Sequence, residues 1–173
     1  ILETLTLPDS LRDVGERAFY MCLDLVAAKL GTGLSGFNEN VFDGCANLSA
    51  VSVAAGNTSF SASGGILYNR AKTRLILCPE GKTGTLTVSP GVTVVGDYAF
   101  EACDELADVV FPQGLREIGT GAFLQCGELM ELNLPGSVVK IGYDAFDGTG
   151  WYSYQNSGMV YAGKVAYAYK GTM

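Results

Sequence analysis

The chain has 173 residues, 48% of them hydrophobic, so it is long enough to bury one core and too apolar to be disordered. Its net charge of −7 and sequence pI of about 4.5 make nucleic acid and anionic membranes unfavourable partners. We expect no membrane insertion, because no stretch approaches the run of about 20 apolar residues that crosses a bilayer and the start at Ile1 lacks the basic region of a signal peptide.

The N-terminal part of the chain contains one phrase twice, 23 residues apart. VGERAFYMCLDL begins at Val14, and a degraded copy, FNENVFDGCANL, begins at Phe37. Around these phrases apolar residues occur at alternate positions, which is typical of a strand with one buried face. We predict strands here with the inward-facing pairs Leu5/Leu7, Ala28/Leu30 and Val51/Val53.

The third unit carries an insertion, because equivalent residues at Val53 and Val88 are 35 residues apart rather than 23. Residues 65–68 and 73–77 are rich in aliphatic side chains, and the four residues between them favour a turn. We predict a β-hairpin that stands on the stack, inside an insertion at about residues 60–84.

The phrase returns in the second half as VGDYAFEACDEL from Val95, IGTGAFLQCGEL from Ile118 and IGYDAFDGTGWY from Ile141. This fixed step predicts a solenoid of like units, with regular repeats at about residues 1–60 and 85–150 in a single domain spanning 1–173. Three further strands are predicted, which brings the total to six. Their inward-facing pairs are Leu86/Val88, Val109/Phe111 and Leu132/Leu134.

In each regular phrase a short outer segment begins at the glycine in the second position and ends three residues after the phenylalanine. It is too short for a helix of average length, and we expect roughly two α or 3-10 turns on the outer side. The apolar residue that opens each phrase adds a second inward column. The outer segments that carry the cysteine are Gly15–Cys22, Gly96–Cys103 and Gly119–Cys126.

Four of the five cysteines occupy one repeat position, three residues after the phenylalanine. The chain has no CxxC pair and no histidine, so this spacing does not indicate zinc, and we predict neither a metal nor a cofactor. Free cysteine packs as a small apolar group. We therefore expect unpaired core thiols at Cys22, Cys45, Cys103 and Cys126.

The last segment predicts a second hairpin, at about residues 151–170. Residues 157–161 and 165–169 are two candidate strands around a short turn. An uncovered solenoid end exposes strand edges and core side chains. We therefore expect this hairpin to cover the last unit.

The pattern of strand, proline, Leu or Val, Ile-Gly, Ala-Phe, Cys and Leu over 23 residues resembles the BspA-like leucine-rich-repeat family of bacterial surface and secreted proteins. The resemblance rests on Leu134-Pro135, Val138, Ile141-Gly142 and Ala145-Phe146, and on their counterparts in four other units. It implies a right-handed α/β solenoid with short concave strands, short helical turns on the outer side and inserted hairpins. It also implies a cell-surface or extracellular location and a role in adhesion or protein contact.

The chain departs from the family pattern at Asn38, Val41 and Thr149, where Gly, Ala and Cys are usual. In similar proteins the phrase that ends here at Met173 leads into further repeats. We therefore expect the chain to be a piece of a longer protein.

The most aromatic part of the chain is its C-terminal segment. Exposed aromatic side chains there would anchor a protein partner or stack on sugar rings, and packing within the hairpin is the structural alternative. Both hairpins are expected to project from the stack, which favours them for specific contact. The candidate partner-binding residues are Trp151, Tyr152, Tyr154 and, in the first hairpin, Tyr68.

Asp108 and Glu131 occupy one column of adjacent predicted strands. Neighbouring strands lie about 4.8 Å apart, so these like charges repel unless solvent, a base or a cation relieves them. We keep both as candidate partner contacts. A solvated acidic edge and a Ca²⁺ site both remain open interpretations.

No constellation of residues indicates catalysis. The chain lacks histidine, the commonest general base, and no pair of carboxylates stands out. We predict a non-enzymatic cell-surface or secreted adhesion module that binds a host or bacterial protein or glycan. The alternatives are a passive spacer for another surface domain and a carbohydrate-binding accessory domain of an enzyme.

Overall fold

The structure, a computed structural model, describes residues 1–171 and is a β-solenoid of about six turns with almost no helix. The phrase that ends at Met173 therefore lies partly outside the described residues. The strands are β1 (Thr4–Thr6), β2 (Ala27–Leu30), β3 (Ala50–Val53), β4 (Phe60–Ser63), β5 (Ile66–Asn69), β6 (Arg74–Leu77), β7 (Gly84–Thr87), β8 (Val94–Val95), β9 (Leu106–Val110), β10 (Glu117–Ile118), β11 (Lys140–Ile141), β12 (Gly158–Ala162) and β13 (Val165–Lys170).

Helix in residues 1–171 is confined to a 3-10 turn, Glu39–Phe42, and a single α-helical turn, α1, Gly150–Ser153. The α part of the expected α/β solenoid is therefore nearly absent. Neither helical segment in this range has the length and hydrophobicity that a membrane span requires.

Strands of the first column stack in parallel from one unit to the next. β1, β2 and β3 form one sheet in which Leu5, Ala28 and Val51 are in register. β7 and β9 form a second parallel pair farther along the chain, with Leu86 beside Val109. The predictions of these five strands are confirmed.

The sixth predicted strand, at the last unit, is absent. Residues 131–135 form no strand, although Leu132 and Leu134 still pack against the core. Extending the ladder beyond β9 would stack Glu131 on Asp108, and like charges at ladder spacing are unfavourable. The prediction of six like strands is wrong at this unit.

The second inward column, which the sequence predicts, carries a set of short strands, which the sequence does not predict. β8, β10 and β11 pair in parallel, with Val95, Ile118 and Ile141 in register. Each of these strands has two residues, so it has no alternation of its own to detect. The sequence therefore indicates the inward-facing residue that opens each phrase but not a strand.

The first hairpin is built into the wall of the solenoid. β5 and β6 pair antiparallel, β4 adds to β5, and β6 runs parallel to β8 with Leu75 beside Val95. All of β5 except Asn69 is buried. The prediction that this hairpin stands on the stack and projects from it is therefore wrong, because units on both sides pack against it.

The core divides in two at this hairpin. Leu67 and Leu77 pack with the N-terminal units, whereas Ile66, Tyr68 and Leu75 pack with the C-terminal units. Alternate residues of a strand point to opposite faces, so one hairpin contributes to both clusters. The insertion thus joins two stacks rather than decorating one.

A column of aromatic rings runs through the C-terminal cluster. Phe100, Phe123 and Phe146 are stacked, with ring centroids 4.5 and 5.6 Å apart. Beside them the thiol of Cys126 donates to the carbonyl of Phe100 at 3.0 Å, and burial raises its pKa. The repeated Phe and Cys positions are core positions.

The outer segments of the first, fourth, fifth and sixth units are turns rather than helices. In the fourth unit the N–H groups of Tyr98, Phe100 and Ala102 donate to carbonyls of the next unit at 2.8 to 2.9 Å. Tyr98 and Ala102 have left-handed backbone, with φ of 53° and 56°, which interrupts a right-handed helix. In this unit the hydrogen bonds to the next unit alternate with bonds inside the unit, such as that from the N–H of Cys103 to the carbonyl of Phe100, so no continuous helical turn forms.

Among the outer segments of the described residues, only that of the second unit contains the predicted 3-10 turn. The side-chain oxygen of Asn38 accepts from the N–H of Asn40 at 2.9 Å and so caps the turn. Asn40 occupies the position that is left-handed in the other regular units. The helical turn therefore forms where the sequence departs from the family pattern.

The C-terminal hairpin packs on the last unit. β12 and β13 pair antiparallel, close to the predicted positions. The Tyr167 ring lies edge-on to Phe146 with centroids 5.3 Å apart, and its hydroxyl accepts from the N–H of Phe146 at 3.0 Å. The hairpin thereby shields the end of the aromatic column.

Candidate functional site

Trp151 is a packing residue at the end of the stack. Its ring lies edge-on to Phe146 with centroids 5.4 Å apart, and its backbone N–H donates to the Leu129 carbonyl at 2.8 Å. The Thr149 hydroxyl donates to the Phe146 carbonyl at 2.8 Å and accepts from the N–H of Tyr152 at 3.0 Å. Thr149, which stands where other units have cysteine, thus caps the short helix that positions Trp151.

Tyr152 is half-buried at the joint between α1 and the hairpin. The Lys170 ammonium lies 5.1 Å from the centroid of its ring. The same ammonium donates to the carbonyls of Tyr152, Ser153 and Gln155 at 3.0 to 3.1 Å, which satisfies the end of α1. Trp151 and Tyr152 therefore serve the attachment of the hairpin.

One face of the terminal hairpin is exposed and apolar. Met159, Tyr161 and Tyr169 are 52, 60 and 72% exposed, and we call these three residues the terminal face. Met159 and Tyr169 are paired across the two strands. Of the three aromatic candidates in this segment, Tyr154 alone is mostly exposed, at 78%.

Sequence reasoning missed the terminal face, although a signal for part of it was present. Met159 and Tyr161 flank Val160, which is buried. Because side chains alternate across a strand, the neighbours of an inward residue point outward. Choosing aromatic residues by local density favoured Trp151 and Tyr152 instead.

The two hairpins share one backbone plan. A bulge lies between Leu67 and Tyr68 in the first hairpin and between Val160 and Tyr161 in the second. By this register Tyr161 corresponds to Tyr68, which is 1% exposed because it packs with the C-terminal units. The terminal face therefore corresponds to the side of the first hairpin that is buried in the core of the same molecule.

The remaining sequence candidates do not join the terminal face. Tyr68 lies in the core and offers no surface to a partner. Asp108 is half-buried on β9 opposite Thr85, and Glu131 is exposed in the segment without a strand, so no shared ladder brings the two carboxylates together. Among residues 1–171 no group of three His, Cys, Asp or Glu side chains could hold a metal ion.

A half-buried carboxylate, also missed from the sequence, lies at the junction of the two stacks. Glu80 accepts a hydrogen bond from the N–H of Gly44 at 2.8 Å. Burial raises the pKa of Glu80 to about 7, and the nearby charges of Asp43 and Glu101 act in the same direction. The cavity that Glu80 lines with Asp43 and Glu101 is about 20 Å³, which is room for roughly one water.

Comparison with known proteins identifies the repeat. The chain matches the family described as BspA type leucine rich repeat region, in six copies, over residues 1–69 and 79–156. No curated protein matches the chain.

Several solved bacterial proteins share the fold. The pneumococcal vaccine antigen PcpA is 23% identical with a TM-score of 0.69, over 87% of this chain and 49% of that one. A leucine rich cell surface protein from Faecalibacterium prausnitzii is 22% identical with a TM-score of 0.66, over 85% and 45% of the two chains. A leucine-rich repeat protein from Eubacterium ventriosum is 19% identical with a TM-score of 0.56, over 81% and 56%. The likeness shows the fold alone, and the chain spans about half the length of each.

Proposed function

Because the chain belongs to the BspA-type leucine-rich-repeat family, we propose that it is an adhesion or interaction module of a bacterial cell-surface or secreted protein. Repeats of this type are generally protein-interaction or surface modules and non-enzymatic scaffolds. The partner in this proposal is a host or bacterial protein or glycan. We also propose the handedness and curvature that the family resemblance implies, namely a right-handed coil with its strands on the concave side.

The exposed terminal face carries the proposal. Met159, Tyr161 and Tyr169 place apolar and aromatic surface on one side of a hairpin whose other side is packed on the last unit. Tyrosine is enriched among residues that dominate protein interfaces, because it buries a large ring and keeps a polar tip. The equivalent side of the first hairpin is a packing surface, so this backbone plan supports close contact with another polypeptide.

The surface location is supported by two similar proteins. One is described as a leucine rich cell surface protein and another as a vaccine antigen. Both are under 25% identical to this chain, so their locations enter here as support for a proposal. The acidic net charge of −7 also fits a protein that does not rely on anionic membranes or nucleic acid.

The passive spacer is the second candidate. It is favoured by the observation that the chain spans only 45 to 56% of the solved proteins it resembles. In a longer protein, further structure would cover the terminal face as the C-terminal units cover Tyr68. An accessory carbohydrate-binding domain stays an alternative without an observation that favours it.

A binding screen with matched variants separates these functions. The chain is presented to arrays of extracellular-matrix proteins and glycans beside a double variant, Tyr161→Ser with Tyr169→Ser. The control is Tyr143→Ser, which changes a tyrosine that is 79% exposed in the outer turn of the sixth unit. We leave Trp151 and Tyr152 intact because they hold the hairpin in place.

We expect saturable binding to at least one protein or glycan, a loss of tenfold or more in the double variant, and no loss in the control. An array without binding would favour the spacer. Binding that survives in the double variant would remove the terminal face from the proposal. Unfolding midpoints of all three proteins check that the variants fold.

A further inference from the structure

Within residues 1–171 the strand β7 has a strand partner on one side only. β9 pairs with it in parallel, whereas β3, the preceding strand of the same column, belongs to a separate sheet. The first hairpin causes this break, because the N–H of Val51 on β3 donates to the carbonyl of Gly65 at 2.8 Å. The edge of β3 is thereby occupied, and the edge of β7 is left free in the middle of the stack.

The free edge presents the backbone of Thr85 and Thr87. The N–H groups of Gly84 and Val88 donate to carbonyls on the β9 side, each at 3.0 Å. Successive backbone groups point to opposite sides of a strand, so those of Thr85 and Thr87 point away from β9. Such a row of unpaired donors and acceptors is the template on which an extended peptide adds as another strand.

A groove of about 290 Å³ adjoins this edge, and we call it the β7 groove. Ile66 and Tyr68 form its floor, since both line it and are almost fully buried. Lys82 is the one charged residue among those described that line it. The Lys82 ammonium donates to the Gly64 carbonyl at 2.8 Å, which leaves two of its three donors for a ligand.

We propose that the β7 groove binds an extended peptide segment that carries a carboxylate, by adding it as a strand to the free edge of β7. The backbone of the peptide exchanges hydrogen bonds with Thr85 and Thr87, which needs about three extended residues or roughly 10 Å. One of its side chains covers the apolar floor at Tyr68.

The carboxylate follows from charge complementarity. Lys82 places a cation in a groove that no carboxylate lines, in a chain whose net charge is −7. The net charge of the chain opposes an acidic peptide overall, whereas the Lys82 ammonium attracts a carboxylate locally at this groove. The β7 groove shares no residue with the terminal face, and this proposal stands or falls independently of that one.

Thr87→Pro tests the added strand. Proline removes the N–H that points into the groove, while the bonds of Gly84 and Val88 to the β9 side remain. Thr6→Pro is the matched control: the N–H of Leu7 donates to the carbonyl of Lys29 on the β2 side, so Thr6 also faces a free edge, but Thr6 lies on β1 and does not line the β7 groove. Lys82→Met tests the charge.

The probe is a random library of twelve-residue peptides displayed on phage, selected on the wild-type chain. Enriched peptides are then synthesised and titrated by fluorescence anisotropy. We expect enriched peptides that contain Asp or Glu, and affinity losses of tenfold or more in Thr87→Pro and in Lys82→Met. Thr6→Pro should bind as the wild type does.

Three results would overturn the proposal. They are a selection that enriches no peptide, enriched peptides that bind Thr87→Pro as tightly as the wild type, and enriched peptides without a carboxylate. Unfolding midpoints within a few degrees of the wild type show that the proline variants keep the fold. The array screen for the terminal face does not enter this test.

Discussion

At two places in the stack a side chain accepts a backbone hydrogen bond that a carbonyl of the next unit accepts elsewhere. In the first unit the N–H of Met21 donates to the carbonyl of Asp43, but the equivalent N–H of Gly44 donates to the Glu80 carboxylate. The Tyr167 hydroxyl takes the same kind of role at the last unit. Burial raises the pKa of Glu80 to about 7 and that of Tyr167 to about 12. Polar side chains thus complete the ladder where the regular stack is interrupted.

Glu80→Gln is expected to flatten the dependence of stability on pH. Folded Glu80 has a pKa of about 7, against an ordinary value of 4.5. Between these values the folded state keeps a proton that the unfolded state has lost, so the free energy of unfolding falls as the pH rises through this window. Glutamine keeps the hydrogen-bond acceptor for Gly44 and does not titrate.

Urea unfolding midpoints at pH 4.5 and pH 8 measure this effect. The wild type should lose more stability than Glu80→Gln between the two pH values. Glu101, whose pKa burial also raises, titrates in the same direction in both proteins and leaves a residual slope. Equal slopes for the two proteins would show that Glu80 does not control the junction.

At the scale of strands and turns, the sequence predicts those elements whose pattern is encoded locally. The first hairpin is expected at 65–68 and 73–77 and is found at Ile66–Asn69 and Arg74–Leu77. The outer turns are not predictable in the same way, because Tyr98 and Ala102 adopt left-handed backbone without being glycine. Hydrogen bonds to the next unit hold that conformation, and a single unit of sequence does not contain them.

Ala102→Gly is expected to stabilise the protein. Ala102 has a φ of 56°, a region that an L-residue with a side chain occupies at a penalty of roughly 1–2 kcal/mol. Glycine removes that penalty but gains freedom in the unfolded chain, so we expect a net increase of about 0.5–1 kcal/mol in the free energy of unfolding. Chemical denaturation at constant pH measures it.

Ala107→Gly on β9 is the matched control for this substitution. Ala107 is exposed and is not among the residues with positive φ, so glycine there should destabilise by about 0.5–1 kcal/mol. Equal destabilisation by both substitutions would contradict the left-handed backbone conformation of Ala102 in the outer segment.

At the scale of the whole molecule, stability accumulates between neighbouring units, and function depends on which surfaces those units cover. The 23-residue step in the sequence predicts the stack because every unit repeats the same inward positions. It does not predict the terminal face. Gly65-Ile66-Leu67-Tyr68 and Gly158-Met159-Val160-Tyr161 are alike in pattern, yet the first is covered by later units and the second is exposed on one side. That difference is set by neighbours and not by the residues themselves.

Phe123→Ala tests the stabilisation between units. The Phe123 ring is stacked between Phe100 and Phe146 and is fully buried, so its removal should lower the free energy of unfolding by about 3–5 kcal/mol. Phe19→Ala, at the N-terminal end of the stack, should have a smaller effect because Phe19 is half-buried and stacks on Phe42 alone. Equal losses, or a loss under about 1 kcal/mol for Phe123→Ala, would contradict stabilisation by stacking.

The most direct test of the central claim is hydrogen–deuterium exchange of the chain alone and saturated with the partner that the array identifies. We predict slower exchange across β12 and β13, which carry Met159, Tyr161 and Tyr169, with little change in β1 and β2. Unchanged exchange in β12 and β13 at saturation, or protection confined to other strands, would contradict the claim that the terminal face binds the partner.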